Sequence, residues 1–343
     1  MSQSTYKVKN EPILGYTPGS EERNNLKLKL EQMASKTIEI PIIINGKEIF
    51  TGDTGDCRMP HDHQHILGTY NKAGNREVQL AIDTSMEAWK FWSKSPLDER
   101  IAIFQRAADL LAGPWRGTIN SATMLNQSKN VFQAEIDAVC EFVDFLRFNA
   151  YFSEEICSSQ PLISPEGIHN HLEYRPLEGF IFAATPFNFT SIAGNLSSAP
   201  VLMGNVAIWK PASSAVYSAY YLMKLFQEAG LPDGVINFLP GSGGKVGDPV
   251  IESEHLAGIH FTGSTEVFQG MWKKVGENIS NYKTYPRIVG ETGGKDFILA
   301  HESADVGALA TACVRGAFEY QGQKCSAASR GYIPHSIWNE FKE

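Results

Sequence analysis

Two different patterns of hydrophobic and polar residues follow one another along the chain. From about residue 75 to 156 apolar residues recur at helical spacing, as in "SPLDERIAIFQRAADLLAG". The stretch 132–156, "FQAEIDAVCEFVDFLRFNAYFSEEI", continues this pattern with its acidic residues outside the apolar stripe. These residues predict a helical scaffold, whereas residues 1–35 are polar, weakly patterned, and predict an extended arm or short helix.

After a loop rich in Ser and Pro at 158–167, short apolar runs alternate with amphipathic stretches. The predicted strands are "GFIFAAT", "VAIWKP", "VINFLP", "GIHFTG", "RIVG" and "DFILA", and the predicted helices lie around 191–203, 214–229, 265–278 and 305–321. This alternation is typical of an α/β fold, in which helices cover both faces of a parallel sheet.

Residues that could bind a ligand or take part in catalysis lie where these strands end. They are Asn188, Lys210, Gly263, Ser264 and Glu291. Parallel sheets bind ligands at the carboxyl ends of their strands, so a shared site is one reading. Taken singly, each residue also has a structural reading: a turn-forming Asn, a Lys whose stem packs at a strand end, a solvated loop Glu.

Composition limits the function classes. The chain has 343 residues, of which 43% are hydrophobic, so it can bury a substantial core in about two domains. The net charge of −8 is scattered, which argues against nucleic acid or an anionic membrane as partner. No apolar run approaches the roughly 18 residues that span a bilayer, and the start lacks a signal-peptide core. Small molecules or other protein chains are the expected partners.

The five cysteines favour free thiols in a reducing compartment, because their number is odd and no CxxC pair occurs. Cys140 and Cys313 share helical spacing with apolar neighbours and are predicted to lie in the core. Cys325, in "EYQGQKCSAASR", does not fit that pattern. It is either a packed thiol or a reactive one.

Three weaker motifs have a structural and a functional reading. In "LPGSGGKVGD" (239–248) a glycine-rich turn is favoured over a P-loop, because Val246 stands where a P-loop needs Ser or Thr. "FTGSTEVFQG" is a better phosphate-binding candidate, since glycine after a strand lets a helix N-terminus approach a pyrophosphate. His61, His63 and His65 alternate in "HDHQH", and an exposed turn or strand is favoured over a metal site.

Taken together, the ordered set "TPFNFT", "WKPAS", "FTGS", "GETGGK" and "GQKCS" resembles the aldehyde dehydrogenase superfamily in order and approximate spacing. Within it, Phe187 and Thr190 beside Asn188, together with "FEYQGQKCSAASR", are similar to the Δ1-pyrroline-5-carboxylate dehydrogenase branch. The resemblance covers nearly the whole chain from "NEPILGYTPGS" onward. It implies a Rossmann-type nucleotide domain followed by the start of a second α/β catalytic domain.

The resemblance also implies catalytic roles for three residues. Cys325 is expected to be the nucleophile that adds to an aldehyde and leaves as a thioester. The side-chain amide of Asn188 and the backbone N–H of Cys325 would stabilise the oxyanion. Glu291 would activate the water that hydrolyses the thioester, helped by partial burial that raises a carboxyl pKa. The implied reaction is NAD-dependent oxidation of L-glutamate γ-semialdehyde to L-glutamate, the second step of proline catabolism.

For the cofactor the resemblance implies NAD. It assigns Lys210 to the adenosine ribose and Thr185 to a backbone contact near the first strand end. The residues it assigns to the pyrophosphate region are Gly263, Ser264, Thr265, Glu266 and Val267. Ser213 stands where many NAD-specific relatives carry a glutamate, so some use of NADP stays open. No metal site is expected.

The resemblance divides the chain into an N-terminal arm (1–35), an NAD-binding domain (36–290) and the start of a catalytic thiol domain (291–343). The chain stops 18 positions after Cys325, so we expect an N-terminal fragment with little activity of its own. An oligomerisation hairpin is expected near 160–176, and with it a homo-oligomer at full length.

Other functions stay open at this point. The substrate could be a different aldehyde, and the same thiol would also support esterase activity. From a different class, the chain could be a silent nucleotide-binding or interaction protein with a bystander or redox-sensitive thiol. A bacterial cytoplasm is the preferred location, with the mitochondrial matrix as the alternative for a eukaryotic source.

Overall fold

The chain divides at Thr262 in the computed structural model, which describes residues 8–343. The first unit runs up to Thr262 and resumes over Gly270–Gly290. The second unit comprises Gly263–Gln269 and Glu291–Glu343. The part of the predicted arm that lies in residues 1–7 is outside the described residues, and the remainder is extended as far as the first helix.

The first unit combines helices with strands that belong to a three-stranded and a seven-stranded sheet. Its helices are α1 (Glu21–Ala34), α2 (Asn75–Trp92), α3 (Leu97–Ala112), α4 (Arg116–Gln127), α5 (Val131–Ala134), α6 (Glu141–Ser158), α7 (Thr190–Leu202), α8 (Val216–Glu228) and α9 (Gly243–Glu252). Its strands are β1 (Ile38–Ile40), β2 (Ile42–Ile44), β3 (Lys47–Ile49), β4 (Thr54–Met59), β5 (Asp62–Asn71), β6 (Phe180–Ala184), β7 (Val206–Lys210), β8 (Ile236–Phe238) and β9 (Leu256–Thr262).

Two elements cross the division, α10 (Thr265–Glu277) and β10 (Arg287–Glu291). The second unit adds β11 (Phe297–Leu299), α11 (Val306–Phe318), β12 (Arg330–Tyr332) and α12 (His335–Lys342). The strands and helices predicted after residue 160 are therefore confirmed, apart from small shifts at their ends.

The sheet has the strand order of a dinucleotide-binding fold. Seven strands follow one another as β10-β9-β6-β7-β8-β2-β3, with β6 parallel to β7 and β9, and β7 parallel to β8. Counting β6 to β10 as one to five, this is the 3-2-1-4-5 order of doubly wound sheets. The carboxyl ends of β6 and β9 are neighbours, since Ala184 pairs with Phe261. A ligand crevice is expected there, where the strand order reverses.

The core of the first unit is built on aromatic rings beneath this sheet. The ring of Phe226 on α8 lies 6.0–6.5 Å from the rings of Phe104, Phe142 and Trp209, each at a steep angle. All four side chains are fully buried. Helices α3, α6 and α8 are thereby packed onto β7, which confirms the predicted helical scaffold.

The glycine-rich turn predicted over 239–248 is wrong for most of its length, because Gly243–Glu252 form α9. Ser242 caps this helix by accepting a hydrogen bond from the backbone N–H of Lys245 at 3.3 Å. Its apolar face is buried at Val246 and Val250. This burial outweighs the helix-propensity cost of about 1 kcal/mol for each glycine.

The prediction that the acidic residues of 132–156 lie outside the apolar stripe is wrong for Glu135 and Asp137, which are both buried. The helix is interrupted there by a π-helical turn, Glu135–Cys140, between α5 and α6. Such a turn inserts an extra residue and rotates the faces of the helix that follows. Arg116 and Lys129 supply the opposite charges.

Two further expectations meet mixed outcomes. Cys140 is buried as predicted, whereas Cys313 is only half-buried. The second expectation is the hairpin near 160–176: residues 159–178, all of which the structure describes, contain no strand. That segment folds back on itself through two hydrogen bonds between the Gln160 side chain and the backbone of Leu172, at 3.1 and 2.9 Å.

Across residues 8–343, none of the helices is both long and apolar enough to cross a membrane.

Candidate active site

In the first unit, the candidate residues cluster where β6 and β7 end. Thr185 is buried directly after β6, and its hydroxyl accepts a hydrogen bond from the indole N–H of Trp209 at 3.0 Å. Its backbone N–H donates to the carbonyl of Lys210 at 3.2 Å. The structure therefore brings Thr185 and Lys210 together through the register of two parallel strands, Ala184 opposite Lys210.

Lys210 ends β7 with its ammonium group donating to the Pro211 carbonyl at 3.1 Å. Burial lowers the pKa of this ammonium, because removal from water disfavours the charged form. The hydroxyl of Ser213, three residues on, donates to the Gly241 carbonyl at 3.2 Å. A partly desolvated cation at a strand end suits a ligand rich in oxygen atoms.

Asn188 lies half-buried in the turn between β6 and α7. Two residues later, Thr190 begins α7, and its hydroxyl oxygen lies 2.8 Å from both Oγ1 of Thr123 and Nε2 of Gln127. Thr190 is buried, so these contacts are shielded from water. Helix α4, which carries Thr123 and Gln127, thus fixes the end of the turn that bears Asn188.

Phe189, the residue next to Asn188, packs against the cation of a buried ion pair. The ammonium of Lys129 lies 4.3 Å from the centre of the Phe189 ring and 2.7 Å from a carboxylate oxygen of Asp137. The side chain of Lys129 is fully buried. A desolvated cation over an aromatic face contributes about 2 kcal/mol, so this contact stabilises the turn that bears Asn188. Sequence reasoning missed this contact, since Lys129 looks like one more surface charge.

In the second unit, Gly263–Val267 form a helix start with exposed side chains from Ser264 to Val267. The Ser264 hydroxyl accepts a hydrogen bond from the backbone N–H of Val267 at 3.3 Å, and its carbonyl accepts one from Phe268 at 3.1 Å. The first turn of a helix presents N–H groups to an anion. The segment therefore has the chemistry expected of a phosphate-binding turn.

Glu291 and Cys325 are brought together in the second unit, 34 positions apart in sequence. Cys325 is half-buried, and its thiol lies within range of the Glu291 carboxylate charge. Burial and this neighbouring carboxylate raise the pKa of the Cys325 thiol to about 11, although the backbone N–H groups of Ser326 and Cys325 act in the opposite direction. The partial burial expected for Glu291 is not found, because the residue is exposed.

Glu291 also connects to the phosphate-binding turn. Its carbonyl accepts a hydrogen bond from the backbone N–H of Gly263 at 3.1 Å. Glu291 and this turn therefore share one backbone contact within the second unit. Asn188, Thr185 and Lys210 belong to the first unit.

The three alternating histidines are placed at the turn before β5 and in that strand, as expected. Nδ1 of His61 lies 2.7 Å from the Ser128 hydroxyl, and Nε2 of His65 lies 2.8 Å from the Ala34 carbonyl oxygen. Among the described residues, no group of three or more His, Cys, Asp or Glu side chains is arranged to hold a metal ion.

Comparison with known proteins places this geometry in context. A model of the aldehyde dehydrogenase family matches residues 50–343. The mitochondrial delta-1-pyrroline-5-carboxylate dehydrogenase of Dictyostelium discoideum is 50% identical over 336 residues, covering 97% of this chain and 60% of that relative. The mitochondrial enzyme of the same name from Rattus norvegicus is 46% identical, covering 99% and 60%.

Solved structures agree with these relatives. The delta-pyrroline-5-carboxylate dehydrogenase of Mycobacterium tuberculosis, bound with NAD, has a TM-score of 0.96 and 51% identity, covering 100% of this chain and 64% of that one. A 1-pyrroline-5-carboxylate dehydrogenase from Thermus with bound NAD has a TM-score of 0.92 at 31% identity, covering 99% and 66%. The chain spans about 60% of the length of the curated relatives it matches. Because the family model covers most of its residues, the chain belongs to the aldehyde dehydrogenase family.

Proposed function

We propose that the protein oxidises L-glutamate γ-semialdehyde, the open form of Δ1-pyrroline-5-carboxylate, to L-glutamate with NAD, a step of proline catabolism. The substrate follows from relatives that are 46–50% identical and carry the name of this dehydrogenase. One observation carries the chemistry: the Glu291 carboxylate lies close enough to the Cys325 thiol to raise its pKa. A thiol with a base in reach is the arrangement that covalent aldehyde oxidation needs.

In the first step, the Cys325 thiol gives its proton to the nearby Glu291 carboxylate. The sulfur then forms a bond to the aldehyde carbon, and the carbonyl electron pair moves to oxygen. Asn188 supplies a side-chain amide donor and Cys325 a backbone N–H donor to that oxyanion. Losing one such donor typically costs about 2.7–4 kcal/mol in the transition state.

The residues of both units fit NAD as the electron acceptor. The strand order supports a ligand crevice where β6 and β9 end, and Lys210 ends the strand next to β6. The turn Gly263–Val267 has helix N–H groups that suit a pyrophosphate. NAD, when bound, takes up the two electrons and the hydrogen that leave the aldehyde carbon. We accordingly propose that 36–290 is the NAD-binding domain and 291–343 the start of the catalytic thiol domain.

The second half-reaction is hydrolysis of the thioester on Cys325. Glu291 releases the proton it took from Cys325 to solvent, to which it is exposed, and then takes a proton from a water molecule. The resulting oxygen nucleophile adds to the thioester carbon, and the sulfur leaves as the thiolate. The exposure of Glu291 gives this carboxylate direct access to water. General-base catalysis of this kind contributes about 10²–10⁴ in rate.

The proposal is tested on the protein at the length its gene encodes. Reduction of NAD is followed with Δ1-pyrroline-5-carboxylate and, in parallel, with simple aliphatic aldehydes. We expect kcat/KM to be highest for the first substrate, and Cys325→Ala to abolish turnover. The matched control is Cys157→Ala, a half-buried cysteine in α6 of the first unit, which should leave turnover unchanged.

Each contrary result selects an alternative. A preference for aliphatic aldehydes would indicate a different aldehyde dehydrogenase. NAD binding without any Cys325-dependent turnover would indicate a silent nucleotide-binding protein. Asn188→Ala should lower kcat by about 10²–10³ if Asn188 is an oxyanion donor, and an unchanged kcat would remove it from the mechanism.

We further propose a homo-oligomeric assembly and a location that depends on the source. The segment 159–178 exposes apolar side chains, including Leu162 and Ile163, which supports a subunit contact there. The relatives from Dictyostelium discoideum and Rattus norvegicus are named as mitochondrial, so for a eukaryotic source we propose the matrix, and for a bacterial one the cytoplasm.

A further inference from the structure

The loop after Glu291 passes directly against the backbone of Cys325 at Gly294. A Cβ atom built on Gly294 would overlap the carbonyl oxygen of Cys325, far inside the 3.0 Å that real Cβ atoms keep from other atoms. It would also lie 2.9 Å from Oδ2 of Asp296. The obstructing carbonyl is backbone, so it cannot swing away as the tip of a long side chain would. Only a residue without a side chain fits unless the Cys325 backbone moves.

The requirement at this position is steric rather than conformational. Gly294 is not among the glycines with φ in the left-handed region, and neither is its neighbour Gly293. A Cβ on Gly293 would meet its nearest atom, Oγ1 of Thr265, at 3.8 Å, which is ordinary van der Waals contact. The two adjacent glycines of "GETGGK" therefore differ in the space around them: only Gly294 lies against the Cys325 backbone and the Asp296 carboxylate.

Further contacts fasten the same two chain segments together. The carbonyl of Asp296 accepts hydrogen bonds from the backbone N–H and the hydroxyl of Ser329, at 2.9 and 3.0 Å. Immediately after, β11 and β12 pair in parallel, with Phe297 opposite Arg330. The segment that begins at Gly294 thus runs beside the segment that begins at Cys325.

The backbone held in this way also sets the state of the thiol. Burial and Glu291 raise the pKa of the Cys325 thiol, while the backbone N–H groups of Ser326 and Cys325 lower it. These N–H groups belong to the peptide segment whose carbonyl faces Gly294. A displacement there would change the distance from the sulfur both to its base and to its N–H donors.

We propose that Gly294 is a positioning residue for the nucleophile. Its missing side chain, together with the hydrogen bonds between Asp296 and Ser329, holds the Cys325 backbone where the thiol meets Glu291. This inference rests on the proposed function, in which Cys325 forms the bond to substrate. Gly294 itself touches neither substrate nor cofactor in this scheme.

The test compares Gly294→Ala with Gly293→Ala in the protein at its gene-encoded length. The rate of Cys325 alkylation by iodoacetamide is mapped by mass spectrometry across a pH series, and kcat and KM are measured beside it. A displacement of about 1 Å can cost about 100-fold in kcat, so we expect a loss of that order for Gly294→Ala with a shifted pH midpoint of alkylation. Gly293→Ala should stay within about twofold of the unmodified protein.

The remaining cysteines report folding in the same experiment. Cys57 and Cys140 are buried in the first unit, and Cys313 is half-buried on α11 of the second. They should stay as protected in Gly294→Ala as in the unmodified protein. If Cys313 instead reacts as fast as in denaturant, Ser329→Ala replaces the variant. It removes one hydrogen bond of the same contact, so we expect the alkylation rate of Cys325 to change about fivefold.

Equal alkylation rates and pH midpoints for Gly294→Ala and Gly293→Ala would overturn the inference. So would an unchanged rate for Ser329→Ala where Gly294→Ala has unfolded. An unmodified protein that neither oxidises the aldehyde nor alkylates preferentially at Cys325 would instead reject the proposed function. The two failures are therefore distinguishable.

Discussion

In the proposed mechanism, the proton on Cys325 controls the chemistry at the scale of single residues. Because burial and the Glu291 carboxylate raise the pKa of this thiol to about 11, the sulfur is protonated near neutral pH. The thiolate, not the thiol, attacks a carbonyl, so the proton has to leave before or during the addition. The same carboxylate that disfavours the free thiolate is therefore the group placed to accept its proton.

Replacing Glu291 separates these two effects. Glu291→Gln removes the negative charge beside the sulfur, so the pKa of Cys325 should fall and the midpoint of its alkylation profile should move to lower pH. Turnover should fall at the same time by about 10²–10⁴, because hydrolysis of the thioester loses its base. Alkylation mapped by mass spectrometry and steady-state kinetics on one preparation measure both effects.

Glu302→Gln is the matched control, since Glu302 is an exposed carboxylate of the same unit. It should change neither the alkylation midpoint nor the turnover. A Glu291→Gln midpoint that stays in place, or moves to higher pH, would show that the carboxylate charge does not act on the thiol.

Sequence motifs led to the prediction of Cys325, Glu291 and Asn188 as catalytic residues but gave no sign of the residues that hold them. The pair of glycines in "GETGGK" gives no sign that Gly294 meets the Cys325 carbonyl while Gly293 does not. That difference arises from two loops about 30 residues apart in sequence, which come together only in the folded unit. The exposure of Glu291 is likewise a property of the surroundings, which local sequence does not contain.

At the scale of elements, the π-helical turn between α5 and α6 anchors the N-terminal arm. The Glu135 carboxylate accepts hydrogen bonds from the Tyr16 hydroxyl at 2.7 Å, the Leu14 backbone N–H at 2.9 Å and the Asn120 amide at 2.8 Å. It also pairs with Arg116, whose guanidinium donates to Glu11 of the arm at 2.7 Å. The arm is thus tied to the scaffold through one buried carboxylate.

This network predicts a pH-dependent stability. Burial acts to raise the pKa of Glu135, but hydrogen bonds from Arg116, Leu14, Tyr16 and Asn120 outweigh it, so the pKa is lowered below 4.5. A lowered pKa stabilises the fold above the unfolded-state value, and this contribution is lost as the pH falls through the folded-state value. We expect Glu135→Gln to cost about 3–5 kcal/mol near neutral pH and to flatten the decline in acid.

The free energy of unfolding in urea, measured near neutral pH and at about pH 4, tests both effects. The control is Asp109→Asn, which removes a carboxylate that is 79% exposed and 3.9 Å from Arg147. Its cost should stay below about 0.5 kcal/mol at either pH. A Glu135→Gln protein that loses stability in acid as steeply as the unmodified one would mean that Glu135 does not carry the pH dependence.

The helical periodicity of 132–156 predicted helix correctly but misplaced its charges. Periodicity assigns charged residues to solvent, and the partners that make burial acceptable for Glu135 lie far away, at Tyr16 and Arg116. The π-turn adds to the error, because it shifts the faces of the helix midway. Similarly, the glycines of α9 led to the prediction of a turn instead of a helix. Ser242 as a cap and the spacing of Val246 and Val250 as an apolar face are the signals that indicate the helix.

At the scale of the whole molecule, alternation of strands and helices predicted the fold class but not the strand order. The pairing of β6 with β9 joins segments about 75 residues apart. Strands β2 and β3, which precede the helical scaffold in sequence, add to the other end of the sheet beside β8. Strand order depends on such distant pairings. Only the folded sheet shows the 3-2-1-4-5 arrangement that supports a dinucleotide crevice.

The proposed subunit contact also belongs to this scale, and it rests on the exposed apolar side chains of the segment 159–178. Leu162 is 100% exposed and Ile163 is 78% exposed. Burying such side chains is worth about 25 cal/mol per Å², so contiguous exposed apolar surface favours contact with another chain. For the proposed homo-oligomer we expect Leu162→Asp and Ile163→Asp to weaken association, because each would place a charge in an apolar contact.

The mass distribution of the protein at its gene-encoded length, measured by light scattering over a dilution series, should shift toward the monomer in both variants. Leu28→Asp is the matched control, since Leu28 is an exposed leucine, 57% accessible, on α1. It should leave the distribution unchanged, which would show that an added charge alone does not dissociate the assembly. If Leu162→Asp and Ile163→Asp also leave it unchanged, the subunit contact lies elsewhere, and the exposure of this segment needs a different partner.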